Sequence, residues 1–392
     1  MAKRVGIEVS LAISEAVKQA KVDAIAAYPI TPQTHIVEHL SELVADAELD
    51  AAFIPVESEH SAMSVCAGTA AAGARTYTAT SSQGLALMNE ILYIIPALRL
   101  PIVMTIANRA LSGPISIWND HSDIMGARDT GWIAIFAENG QEAYDLTLQS
   151  FKIAEDHRVL LPISVNIDGF TLSHVIEPHE FIDQQEVDAF LPEYKPAVQL
   201  NPDQPVSMGM VGIPEVYAEA KKCQDEVLKN SEAVVKEVFR EFGEKFGRHY
   251  QVVESYRAEG AETLLLTMGS VSETAMEAID RLQDVEKRSV GLVRLRLWRP
   301  FPSADLLKAV TGCKTLAVLD RAVSFGSPGG PVASEVRSTL YGVDGAPYIA
   351  SFIAGLGGRD ITIADFISIV DQAESMAESN ENHQYKMIGV RE

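Results

Sequence analysis

Along residues 5 to 175, short apolar runs rich in β-branched residues alternate with segments of helical periodicity. "VDAIAAYPI", "RTYTATSS", "LPIVMTIANR" and "VLLPISVNI" predict buried strands. "QTHIVEHLSELVADAEL", "ESEHSAMSVCAGTAAAGA" and "NGQEAYDLTLQSFKIAED" predict helices between them. Such alternation implies an α/β unit, a parallel sheet covered by helices on both faces. Functional groups then collect beyond the carboxyl ends of the strands.

The pattern lapses between about 183 and 214. The proline-rich "EVDAFLPEYKPAVQLNPDQPVSMGMVGIP" predicts an extended connection draped over a surface. "NSEAVVKEVFREFGEKFGRHY" then sets Val234, Val235, Val238, Phe239 and Phe242 at helical spacing, which predicts a packing helix. From about residue 256 three strand–turn–helix units follow: "AETLLLTMGSVSETAMEAIDRL", "SVGLVRLRLWRPFPSADLLKAV" and "KTLAVLDRAVSFGSPGGPVASEVRSTLYG". They predict a second, smaller parallel-sheet domain. "SFGSPGGP" looks like a phosphate loop but lacks the P-loop lysine, and reads as a turn at a domain interface.

Composition narrows the function. The 392 residues, 47% hydrophobic and 22% charged, suffice for two domains with a core each. A net charge of −22 lacks the basic footprint that nucleic acid requires and reads as a solvated, dispersing surface. Cys66, Cys223 and Cys313 form no CxxC pair. A zinc ion or iron–sulfur cluster held by this chain alone is not expected, since either usually needs about four ligands. So sparse and odd a cysteine count fits a reducing compartment. Charges interrupt the N-terminal apolar run, and no stretch approaches the roughly 18 apolar residues of a membrane span. A cytoplasmic location is expected, without membrane or nucleic acid as partner.

Candidate chemistry gathers at the strand ends. In "AYPITPQT", Pro29 and Pro32 hold the chain extended around Thr31 until a helix begins. Thr31 either caps that helix or presents its hydroxyl to an anion at the helix start. Glu57 and Glu59 begin a helix whose small residues, Ala62, Ala67, Gly68, Ala71 and Ala72, permit close backbone approach. A carboxylate there is either dipole decoration or a buried group with a task. His60 is readable as a metal ligand with Glu57, or as a satisfied structural histidine. Thr80, Ser81, Ser82, Gln83 and Gly84 form a weak oxyanion or phosphate cradle, without the GxSxG elbow. Asn108 and Arg109 end another strand, where an arginine suits a bidentate grip on a carboxylate or a surface salt bridge.

Taken in order, "AYPITPQT", "VESEHSAM", "TATSSQGLALM", "ANRALSGPISIWNDHSD", "RDTGWI", "VLLPISVNIDGFTLSH" and "RLWRPFPSADL" resemble the alpha subunit of the 2-oxoacid:ferredoxin oxidoreductases, of which pyruvate synthase is the best-known type. The resemblance runs over nearly the whole chain. It implies a thiamine-diphosphate-enzyme pyrimidine-binding domain at 1–182 and connection and packing helices at 183–255. It further implies a transketolase C-terminal-like α/β domain at 256–375 and a tail at 376–392. It also implies that Glu59 holds the aminopyrimidine ring and promotes the imino tautomer that removes the thiazolium proton. Thr31 and Arg109, with Asn108 beside them, match the positions for the substrate carboxylate. Pro29, Ile30, Ser82 and Gln83 join Glu59 in the cofactor-binding set. Relatives that use oxalate carry arginine at the Thr31 position, so threonine leans towards pyruvate or a larger oxoacid.

What the chain lacks shapes the expected complex. No GDG with a downstream asparagine is present to hold Mg2+ and diphosphate, and no cysteine set for clusters. The resemblance assigns these to a beta subunit with the diphosphate site and a [4Fe-4S] cluster, and to a ferredoxin-like delta subunit, with a gamma subunit completing the complex. Coenzyme A is the co-substrate and ferredoxin the electron acceptor. The chain alone is expected to be catalytically silent. Pyruvate is the first substrate and a branched-chain 2-oxoacid the second. The other readings are a non-catalytic assembly subunit and a non-oxidative decarboxylase or transketolase-like half-enzyme, whose partner would lack cluster cysteines.

Overall fold

Eight strands precede the long connection: β1 (Lys3–Glu8), β2 (Ala24–Ala27), β3 (Ala52–Pro55), β4 (Thr76–Thr80), β5 (Ile102–Asn108), β6 (Ile133–Phe136), β7 (Ile163–Asp168) and β8 (Ile176–Phe181). Seven follow it: β9 (Val253–Tyr256), β10 (Thr263–Thr267), β11 (Val290–Leu295), β12 (Leu297–Arg299), β13 (Thr315–Asp320), β14 (Tyr348–Ile353) and β15 (Lys386–Met387). This computed structural model describes residues 3–379 and 385–391.

The first sheet has the order β12-β6-β7-β5-β4-β2-β3 and is parallel except for β12, which pairs antiparallel with β6. Its inner strands are fully buried runs because helices cover both faces. The chain steps from β2 outward to β3, then returns to β4 on the other side of β2. This reversal opens a crevice beyond the carboxyl ends of β2 and β4. β1 and β8 form a separate antiparallel pair.

The second sheet runs β15-β14-β13-β10-β11-β9, with only β9 antiparallel. Its strand order reverses between β10 and β13 in the same way. Among the described residues no helix is long and apolar enough to cross a membrane.

Several details differ from expectation. "SVGLVRLRLW" is not one strand of the second unit. It breaks at Arg296, and β12 crosses to complete the first sheet. At the break the buried Arg296 guanidinium bonds Glu142 of the first unit at 2.7 Å and Glu254 of the second at 2.8 Å, tying the two units together there. The connection is not extended throughout, since Asp183 caps a short helix, Gln184–Phe190. The packing helix spans Pro214–Phe246, beginning well before its apolar stripe, because its first half is largely exposed and carries no buried stripe. The last helix runs Ile363–Ser379, across the expected start of the tail at 376. Residues 380–384 and 392 of the expected tail lie outside the described residues.

Candidate active site

β2 ends against the crevice. Tyr28, Pro29 and Thr31 are exposed there and Ile30 is half-buried. The buried Gln33 closes the turn, donating from Nε2 to the Tyr28 carbonyl oxygen at 2.8 Å. The following helix, Thr34–Ala45, takes no side-chain cap, so Thr31 is not its cap. Its hydroxyl has no partner among the described residues. The Thr31–Pro32 peptide is cis.

Glu59 opens the helix Glu59–Ala71, whose N-cap is Ser58. The carboxylate is buried, 6% exposed, yet no described residue hydrogen-bonds or ion-pairs it. It packs against Gly84, where a β-carbon would lie 2.7 Å from Glu59 Oε1 and 2.5 Å from Thr80 Oγ1. Thr80 Oγ1 and Ser81 Oγ are themselves buried without partners. Glu59 and Thr80 Oγ1 thus meet at Gly84 with no protein group to satisfy them, which is costly unless a ligand does so. His60 faces Glu90 at 3.4 Å, while Glu57 accepts from Ser61, so those two do not form a metal pair.

Arg109 joins this site from β5. Its Nη1 donates to the Thr31 carbonyl oxygen at 2.9 Å and its Nε to that of Ser116 at 2.8 Å. Nη2 has no partner among the described residues, and no carboxylate there pairs with the guanidinium. Burial pulls its pKa down, opposed by nearby Asp123. A buried guanidinium with no ion-pair partner and one free N–H pair is suited to an anionic ligand.

Asp123 was not legible in the sequence and organises the strand ends. It accepts from the backbone N–H groups of Ser82, Arg109 and Ile124 and from Asn108 Nδ2, at 2.7 to 3.0 Å. Burial pushes its pKa up to about 7, against those four donors. Two of the expected site residues belong to this hub. Asn108 Nδ2 donates to Asp123 at 2.9 Å and to Asn166 at 3.3 Å. The Ser82 hydroxyl is committed to the Ala110 carbonyl oxygen and Gln83 Oε1, each at 2.7 Å, and its backbone takes a left-handed φ of 46°. Gln83 remains half-buried.

The two sheets meet edge-on through Asp168, at the end of β7. It bonds Arg321 at 2.9 Å, His121 at 3.0 Å and the Ser270 N–H at 2.9 Å. Ser270 and Arg321 follow β10 and β13, the reversal point of the second sheet. Burial would raise the Asp168 pKa, but the Arg321 charge and the His121 and Ser270 contacts hold it well below the usual carboxylate range. "SFGSPGGP" is a turn whose helix start is already occupied, because Asp320 accepts from the Val332 and Ala333 N–H groups.

The chain matches known proteins over nearly its whole length. Residues 15–240 match the family "Pyruvate flavodoxin/ferredoxin oxidoreductase, thiamine diP-bdg", and residues 261–366 match "Pyruvate:ferredoxin oxidoreductase core domain II". The chain is 48% identical to pyruvate synthase subunit PorA of Methanothermobacter thermautotrophicus, covering 98% of each. It is 43% identical to ketoisovalerate oxidoreductase subunit VorA of Pyrococcus abyssi, over 94% of this chain and 93% of that one. In fold it is similar to 2-oxoglutarate:ferredoxin oxidoreductase from Magnetococcus marinus, a structure with 2-oxoglutarate, coenzyme A and succinyl-CoA bound. That match has a TM-score of 0.71 at 19% identity and covers 96% of this chain and 66% of that one.

Proposed function

The chain belongs to the pyruvate flavodoxin/ferredoxin oxidoreductase family, and on that premise we propose that it is the alpha-type subunit of a complex oxidising pyruvate. The reaction converts pyruvate and coenzyme A to acetyl-CoA and carbon dioxide and passes two electrons to ferredoxin. The observation that carries this reading is the buried, unpartnered Glu59 carboxylate in the crevice between β2 and β4.

The residues fit an aminopyrimidine, because the Glu59 carboxylate and the orphaned Thr80 hydroxyl beside it offer hydrogen bonds that no protein group takes. Thiamine diphosphate, when bound, supplies the electron sink that allows a 2-oxoacid to lose carbon dioxide. Glu59 holds a proton at a ring nitrogen, and Gly84 leaves room for that carboxylate. Arg109 offers its free N–H pair to the oxoacid carboxylate, while its other nitrogens lock it to Thr31 and Ser116. Exposed Thr31 and Pro29, with half-buried Ile30, form the rim of the same crevice, and Gln83 stands beside Gly84.

Diphosphate, Mg2+ and [4Fe-4S] clusters belong, in this reading, to beta and ferredoxin-like partner subunits. Cys66 and Cys313 are buried, and burial pushes their thiols up to about 12 and about 11, which suits neither to cluster ligation. A branched-chain 2-oxoacid is the second substrate reading, favoured by the likeness to the ketoisovalerate enzyme.

Viologen reduction by the complex, purified through a tag on this chain, tests the proposal. Pyruvate, 2-oxoisovalerate, 2-oxoglutarate and oxalate are each supplied with thiamine diphosphate, Mg2+ and coenzyme A. Coenzyme-A-dependent reduction greatest with pyruvate is expected. Reduction with none of the four by a cluster-containing complex refutes it.

A further inference from the structure

Beside the rim of the crevice, three segments bring together side chains that the proposed reaction does not use. Glu8 closes β1, His35 lies in the first turn of the helix Thr34–Ala45, and His174 lies in the turn between β7 and β8. One potential ligand atom from each falls within 4.8 Å of the other two. His35 Nδ1 is 2.7 Å from Glu8 Oε1, and the two imidazole rings lie 4.5 Å apart. All three residues are half-buried, fixed by the fold but open to water.

The backbone holds these segments in register. β1 and β8 pair up to Glu8 and Ile176, Val9 N donates to the Val175 carbonyl oxygen, and Ser10 N to that of Ser173. Glu8 occupies the N-cap position of the helix Val9–Gln19, yet its side chain makes no cap bond and turns to His35 instead. His174 Nδ1 stands 2.7 Å from Ser173 Oγ, which can fix the ring and leave its other nitrogen for an ion.

We propose that Glu8, His35 and His174 bind a divalent transition-metal ion of the zinc class, with water completing its shell. Two imidazoles and one carboxylate are the donor set such ions prefer, at metal–ligand distances of about 2.0–2.2 Å. Tetrahedral ligands at those distances sit ~3.4 Å apart, so side-chain adjustment of roughly an ångström completes the site. The bound ion clamps the turn at residues 169–174. That turn carries Phe170, whose ring packs 4.8 Å from Trp118 and 4.6 Å from His174. Trp118 belongs to the loop that grips Arg109 through Ser116. The ion therefore stiffens the loop over the arginine without touching it.

The test uses the untagged full chain, stripped with a chelator. Zn2+ is titrated against a chromogenic chelator, and Co2+ is followed by its visible absorption. One ion per chain is expected, with Co2+ bands of nitrogen and oxygen ligation. Glu8→Gln and His174→Gln should each weaken Zn2+ at least tenfold, while His60→Gln and Cys223→Ser leave it unchanged. Absence of a stoichiometric site, Co2+ bands of thiolate ligation, or affinity unaltered in both site variants overturns the proposal. The Co2+ spectrum of the unsubstituted chain decides the matter even if a variant folds poorly.

Discussion

Gly84→Ala asks whether the position of Glu59 is set by contact. In an open helix, replacing glycine by alanine stabilises by about 0.8–1 kcal/mol. Gly68, in the helix Glu59–Ala71, has no atom within 4 Å of an added β-carbon and serves as the reference. At Gly84 that carbon would lie 2.5 Å from Thr80 Oγ1, 2.7 Å from Glu59 Oε1 and 2.9 Å from Glu59 Cγ. Ordinary contacts begin near ~3.5 Å, so the Glu59 side chain must retreat by roughly 0.6 to 0.8 Å. Overpacking of this kind costs about 1–3 kcal/mol. Gly84→Ala should therefore be about 1–3 kcal/mol less stable than Gly68→Ala, read from urea unfolding of the full chain. In the assembled complex it should also lower kcat at least tenfold, because a carboxylate displaced this far misses its ring nitrogen. Equal stability of the two variants, with wild-type turnover by the Gly84→Ala complex, would refute the claim that this packing positions Glu59.

Glu59→Gln should cut viologen reduction by the complex about 10²- to 10⁴-fold and leave the urea midpoint of the chain equal or higher, since it removes a buried charge that no protein group pairs. Asp123, raised to about 7 by burial, keeps its proton in the folded chain after the unfolded chain has released its own near ~4. Its contribution is full below that lower value and is lost as pH rises towards 7, so Asp123→Asn should flatten the fall in urea midpoint between pH 4 and 7. Asp168 has the opposite sign. Its lowered pKa supplies stability above the ordinary carboxylate range that is lost as pH falls. Asp168→Asn should cost about 3–5 kcal/mol at neutral pH, because it leaves buried Arg321 without its carboxylate. Urea titrations at paired pH values check both substitutions.

The alternation of apolar runs and helical stripes made both parallel sheets legible, because a buried strand and an amphipathic helix each leave a local period. The placement of Glu59, Thr31 and Arg109 at strand ends or a helix start was also legible, because the local sequence marks those boundaries. Asp123 left no such mark. Its role depends on accepting from Ser82, Asn108 and Arg109, which the sheet gathers from two separate strand ends. The partners of Asn108 and Ser82 were hidden for the same reason: the sequence places them at the strand ends but does not show that they bond Asp123 and the Ala110 carbonyl oxygen. β12 was missed because three residues are too few to carry a period, and its partner β6 is far away in sequence.

That crossing of β12 also constrains how the chain is made. Until Leu297–Arg299 leaves the ribosome, β6 presents a row of unpaired backbone groups along the margin of the first sheet. Closure must await a distant segment, and pairings of such long sequence separation form slowly. A fragment ending anywhere in 183–255 would keep that margin bare and tend to pair with other copies of itself. The chain is best cut, fused or expressed with the second unit in place, because the first sheet is finished by the second unit's strand.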